Sequence, residues 1–155
     1  VTAGIPVLGV CYGHQLLAHA LGGTAGPNPA GRQIGTVKSQ LIDIKGNDPL
    51  LGYLPVTFAA QTSHSEVVLE VPAGAQRLAT SPLDENFAIR FAENAWGVQF
   101  HPEFSAAVTS DYIRYRADAL REEGLNPEQL MTQVTNTDVA KSVLKKLAEI
   151  IREQT

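Results

Sequence analysis

Residues 5–23, "IPVLGVCYGHQLLAHALGG", are the stretch that most limits what this chain can become. The continuous apolar run over 5–10 reads as a parallel strand buried on both faces. A helical pattern over 13–21 follows, with Leu16, Leu17, Ala20 and Leu21 as its apolar face and Gly22-Gly23 as its stop. Strand, glycine, residue, glycine, helix is the form of a nucleophile elbow, and at its centre stands Cys11, the only cysteine. The chain must turn sharply there. Side chains at 9 and 13 are expected to clash across the turn, which makes Gly9 and Gly13 the structural residues of the elbow. A strand running into such a turn belongs to an α/β fold, whose sites lie beyond the C-terminal ends of the strands.

The rest of the pattern fits that class. Residues 24–32 read as a loop, 34–45 as an extended strand and 48–55 as a helical turn. Further strands are expected over 56–61, 76–80, 86–91 and 95–100. Alternation puts Phe87, Ile89 and Phe91 on one face. It also sets Trp96, Val98 and Phe100 against Gly97, Gln99 and His101. A helix over 106–123 has Ser105 as N-cap and Gly124 as stop, and a short helix follows with Pro127 near its first position. The last helix, 137–153, carries Val139, Val143, Leu147, Ile150 and Ile151 on one stripe. The length suits one domain, 1–155, of which 106–155 is a helical C-terminal segment.

Composition excludes several function classes. The net charge of −4 comes with no basic stripe, so nucleic acid is not an expected partner. No apolar run approaches the ~18 residues of a membrane span. One cysteine makes no intramolecular disulfide, and there is no Cys/His cluster at zinc spacing, which fits a reducing, cytoplasmic setting. The N-terminus lacks the basic region of a signal peptide and an initiator Met, and it enters a core-type strand within a few residues. The sequence is therefore expected to begin inside a larger domain.

The elbow projects the Cys11 sulfur past the strand end, against a helix N-terminus whose dipole favours an anion. The N–H of Tyr12, the residue after the nucleophile, is placed to hold an oxyanion. A nucleophilic cysteine needs a base. Of the four histidines, His14 is expected to point away along the elbow helix, and His19 to be a surface or packing residue. His101 leaves the end of a strand in "GVQFHPEFS"; with Pro102 keeping the segment extended, Glu103 projects on the same side and can orient the imidazole. Each half has a plainer reading: a small buried cysteine that packs, or a His-Pro turn beside a solvated carboxylate. Together they form nucleophile, base and orienter. Cys11, His64 and His101 match no metal-ligand spacing, and no metal is expected.

"PVLGVCYGHQLLAHALGG" with "WGVQFHPEFS" resembles the class I, triad-type glutamine amidotransferases, and within them glutaminase domains like that of GMP synthase. "GRQIG" at 31–35 and "TSHSEVVLEVPAGAQRLATSP" at 62–82 also resemble segments of that family. The resemblance implies a three-layer, flavodoxin-like sheet, of which this chain would be the C-terminal two-thirds. It implies that the first strands and a Gly-rich loop with a second oxyanion donor lie upstream. It implies hydrolysis of the glutamine side-chain amide through a Cys11 γ-glutamyl thioester, with His101 as acid and base, Glu103 orienting it and Tyr12 as oxyanion donor. Gln15 would contact the amino-acid end of the substrate, and Ser63 and His64 would bind its α-carboxylate and α-amino group largely through backbone. No cofactor is implied; ammonia would pass to an acceptor on a synthetase subunit. Two other readings stay open: a γ-glutamyl hydrolase acting on peptides or conjugates, and a non-catalytic regulatory subunit of the same fold.

Overall fold

The computed structural model describes residues 1–42 and 46–154. The expected strand over 34–45 ends at Leu41, and its positions 43–45 lie outside the described residues. Eight strands are present: β1 (Val7–Val10), β2 (Thr24–Pro27), β3 (Gln33–Leu41), β4 (Thr57–His64), β5 (Glu66–Glu70), β6 (Gln76–Ser81), β7 (Asp84–Ala92) and β8 (Ala95–Val98). The helices are α1 (Tyr12–Ala20), α2 (Ala106–Tyr115), α3 (Ala117–Glu122), α4 (Pro127–Thr132) and α5 (Asp138–Glu153).

Six strands form one mixed sheet in the order β1-β8-β7-β6-β3-β4. β1 and β8 run parallel, with Val7 opposite Ala95 and Val10 opposite Val98; the remaining neighbours in this sheet are antiparallel. The parallel pair brings the elbow and the segment after β8 out at the same end of the sheet. β8 alternates as its sequence requires. Trp96 and Val98 face a core with Phe100, Phe58, Leu50 and the α5 residues Ala140 and Val143, whereas Ala95 faces a second core with Ile89, Phe91 and Ala18 of α1. Helices on both faces make three layers. A smaller cluster joins Ile34, Ile113 and Leu120 beneath α2–α4.

Several expectations change. Residues 24–27 are not loop: they pair antiparallel with β5 as a separate two-stranded ribbon. The ribbon owes its shape to tertiary contact, because a Cβ on Gly23 would lie 2.4 Å from the Glu70 carbonyl oxygen. The helical turn expected over 48–55 is present, closed by the Gly52 N–H on the Asp48 carbonyl at 3.0 Å. There Asp48 accepts from the amides of Leu50 and Leu51 at 3.0 and 2.7 Å and from Trp96 Nε1 at 3.1 Å, and Leu50, Leu51 and Leu54 are driven into the core. Phe87 does not share a core with Ile89 and Phe91; it packs with Phe100, and the β6–β7 pairing shifts register beside it. The helix expected over 106–123 breaks at Arg116, which lets Leu120 turn back onto Ile113. Ser105 and Asn126 cap α2 and α4 by accepting from Val108 and Gln129. On α5 the buried stripe runs through Ala140, Val143 and Ile150, while Val139 and Ile151 are exposed.

Candidate active site

α1 turns an unexpected face inward. Leu16, Ala20 and Leu21 are exposed, and the buried residues are His14, Gln15 and Ala18. His14 does not point away, as its place on the elbow helix suggests. It is wholly buried, with Nε2 2.8 Å from the Asn86 carbonyl oxygen and its ring against Phe91. Gly97 makes this seat, since a Cβ there would lie 2.3 Å from His14 Nδ1. Burial, against weaker opposing bonds to the Asn86 and Gly97 backbone, lowers His14 to about 4, so it is a neutral anchor for the elbow helix. His19 is exposed.

The elbow is built by backbone. Cys11 has φ 50° and ψ −103°, and among the described residues it is the only non-glycine with positive φ. Its N–H donates to the Val98 carbonyl at 2.8 Å, and its own carbonyl accepts from His14 and Gln15. A Cβ on Gly9 would meet the Gly13 carbonyl oxygen at 2.5 Å and the His14 nitrogen at 2.8 Å, so the first helical turn rests directly on Gly9. Gly13 is different. Among the described residues nothing beyond its own helix lies within 4 Å of a Cβ there, and the expected clash at that position does not exist. The reason is geometric: Gly13 presents its backbone to Gly9, so its own Cβ direction is left open. Tyr12 begins α1, which leaves its N–H without an acceptor in the helix, and its side chain is exposed.

Three groups surround the Cys11 sulfur. The Ser63 carbonyl oxygen lies 4.0 Å away, Gln99 Nε2 lies 3.5 Å away, and the His101 ring is close enough for the sulfur to raise its pKa. The direction of the Gln99 amide follows from its neighbours. Gln15 Nε2 donates to the Glu66 carbonyl at 2.8 Å and to Gln99 Oε1 at 3.1 Å, which leaves Gln99 Nε2 to donate to sulfur. Gln15, expected at the substrate's amino-acid end, thus has its amide nitrogen committed inside the protein.

After β8 the chain does not stay extended. The Phe104 N–H returns to the His101 carbonyl at 3.2 Å, closing a turn with Pro102 and Glu103 at its centre. That turn brings His101 Nδ1 to 2.5 Å from Glu103 Oε1, leaving the other ring nitrogen for Cys11. Burial works against a charged His101, but the hydrogen bonds to Cys11 and Glu103 outweigh it and push the ring up to about 9. Burial likewise acts to raise Glu103, yet the bond to His101 holds its carboxyl below the ordinary carboxylate range. His101 and Phe104 are stacked, with centroids 4.0 Å apart and planes at 12°.

His64 is next to Ser63 in sequence but its side chain faces inward. Its Nδ1 lies 2.6 Å from Thr62 Oγ1 and its Nε2 lies 3.9 Å from Asp84 Oδ2. Burial is the leading cause that lowers His64 to about 4, and burial raises Asp84 to about 6. Cys11, Tyr12, Gln15, Ser63, His101 and Glu103 therefore gather at one place, whereas the His64 side chain is turned to Thr62 and Asp84. Sequence reasoning passes over Gln99, which β8 alternation already puts on the face of His101, and Phe104, for which a return turn after His-Pro is the available signal. Among the described residues no group of three or more His, Cys, Asp or Glu is placed to hold a metal ion, and no helix is long and apolar enough to cross a membrane.

A profile of the glutamine amidotransferase class-I family matches residues 1–117. The glutamine-hydrolyzing GMP synthase of Aeropyrum pernix is 41% identical over 100 residues, covering 64% of this chain and 19% of that protein. A glutamine-hydrolyzing GMP synthase subunit of Haloarcula marismortui is 42% identical over 101 residues, covering 64% of this chain and 51% of that one. The chain thus spans about a fifth and about half of these relatives. Among solved structures, a glutamine amidotransferase of Thermotoga maritima aligns with a TM-score of 0.78 and 27% identity, covering 98% of this chain and 64% of that one. The glutamine amido transferase of Methylobacillus flagellatus shares the fold, with a TM-score of 0.68, 23% identity and coverage of 99% and 63%.

Proposed function

Because this chain belongs to the class-I glutamine amidotransferase family, we propose that Cys11, His101 and Glu103 hydrolyse the glutamine side-chain amide to glutamate and ammonia. The observation that carries this reading is the His101 ring, which joins the Cys11 sulfur on one side and the Glu103 carboxylate on the other. The Cys11 thiol gives its proton to His101 as sulfur attacks the amide carbon, so the S–H bond breaks, a C–S bond forms and the C=O π bond opens. The carbonyl oxygen takes the negative charge, facing the free N–H of Tyr12 at the start of α1. As the tetrahedral species collapses, the C–N bond breaks and His101 gives its proton to the departing nitrogen, releasing ammonia and leaving a γ-glutamyl thioester. The now neutral ring takes a proton from water, the hydroxide attacks the thioester, the C–S bond breaks and glutamate leaves. Glu103 holds the imidazole with Nδ1 donating throughout. The Ser63 carbonyl oxygen, 4.0 Å from the sulfur, supports a role for Ser63 and the adjoining His64 backbone at the substrate's amino-acid end.

The Haloarcula relative is one subunit of its synthase, which supports delivery of ammonia to an acceptor on a separate synthetase chain. The test uses the full-length protein with a chloroketone analogue of glutamine, followed by mapping of the label. Labelling at Cys11 that glutamine protects against, with ammonia release from glutamine, is expected. A folded, full-length protein that neither labels nor releases ammonia rejects the reading. Amine release from γ-glutamyl conjugates in place of ammonia from glutamine would select the γ-glutamyl hydrolase.

A further inference from the structure

We propose that Phe104 is a positioning residue for His101: its ring clamps the imidazole face to face in the one plane that points opposite ring nitrogens at Cys11 and at Glu103. The inference builds on the triad reading above but is testable without it. The stack is close and nearly parallel, 4.0 Å between centroids and 12° between planes. Its geometry is forced by the return turn, whose Phe104 N–H bonds back to the His101 carbonyl. Phe104 is itself braced, because Tyr112 of α2 lies 5.0 Å from it at 38°. The clamp thus connects the imidazole to a helix outside the sheet.

The stack has an electrostatic sign. Two neutral aromatic rings prefer offset or edge-to-face contact. A cationic ring, by contrast, is drawn to the face of a phenyl group. A parallel stack of this kind therefore favours the protonated imidazole over the neutral one. The titratable groups facing His101 are Cys11 from the elbow, Glu103 from its own turn and His64 from β4. Phe104 differs from all three in carrying no charge of its own, so its effect on the ring is separable by substitution. An aliphatic side chain of similar bulk would fill the space without either the flat surface or the attraction for a cation.

The experiment is an NMR titration of the His101 imidazole in the full-length protein, with Phe104→Leu, Phe104→Met, Phe104→Tyr and Phe104→Trp. The aliphatic variants are expected to lower the His101 proton-binding constant about two- to fivefold. The aromatic variants are expected to restore it. Two aliphatic replacements guard against one that folds poorly, and a folded Met variant is sufficient. If Leu and Met both keep the wild-type titration, or if Tyr and Trp shift as Leu does, the proposal is overturned. The titration needs no substrate. A protein that shows the shift but releases no ammonia from glutamine would leave the clamp standing and remove the glutaminase reading.

Discussion

The two halves of the site leave parallel neighbours in the sheet, β1 and β8, and they are held by opposite means. Cys11 is positioned by main chain: a positive φ, an amide bonded to Val98 and a glycine on which the helix rests. His101 is positioned by side chains: a carboxylate on one edge, a thiol on the other and a phenyl ring beneath. The elbow should therefore be intolerant of changes in backbone shape. The His101 turn should be intolerant of changes in side-chain chemistry.

The largest effect tests the point where the halves meet. Cys11→Ala is expected to reduce ammonia release by about 10³-fold or more in a glutaminase assay, with the far-UV circular dichroism unchanged. Glu103→Gln comes next, with an expected loss of about 10²-fold in kcat at little change in KM; a loss confined to KM would show that Glu103 binds substrate and does not orient His101. The elbow is probed by Gly9→Ala, which drives a Cβ into the Gly13 carbonyl. It should destabilise by about 1–3 kcal/mol in urea denaturation, while an unchanged midpoint would mean the helix can lift off the strand.

The pH dependence is smaller and has a definite sign. His101 is raised from 6.5 to about 9 in the folded protein. The folded state therefore holds this proton more tightly than the unfolded chain. The stabilisation is fully present below about pH 6.5 and is lost as pH rises through 9. The stability difference between the protein and its His101→Gln variant should shrink over that window. It should shrink far less when Cys11 is already Ala, because the bond to Cys11 is the leading contribution that raises the ring. The smallest effect is the sharpest contrast: Gly13→Ala, where among the described residues nothing beyond its own helix lies within 4 Å of a Cβ, should be neutral or stabilise by up to about 1 kcal/mol. The paired outcomes at 9 and 13 separate a steric requirement from a glycine that merely occurs beside one.

The elbow and the pairing of His101 with Glu103 are legible because short-range physics writes them. The apolar run 5–10, the two glycines and the alternation of β8 each depend on neighbours close in the chain. What escaped was set by distant contact. The face of α1 could not be read from hydrophobicity, because His14 and Gln15 turn inward to meet Asn86, Glu66 and Gln99, partners more than 50 residues away. β2 carries too few residues to show a period and exists through its pairing with β5. Pro102 argued for an extended segment, yet proline is equally at home in a tight turn, and the return bond from Phe104 decided between them.

One main-chain carbonyl has a reach beyond its own strand. The oxygen of Glu66 can only accept, so it dictates which end of Gln15 faces it, and Gln15 in turn dictates which end of Gln99 faces the sulfur. Half a turn of either amide alone would set donor against donor or acceptor against acceptor. The two glutamines therefore behave as a single rotor with one permitted setting, keyed by a ribbon that is no part of the main sheet, and the polarity delivered at Cys11 is as dependable as the peptide bond from which it starts.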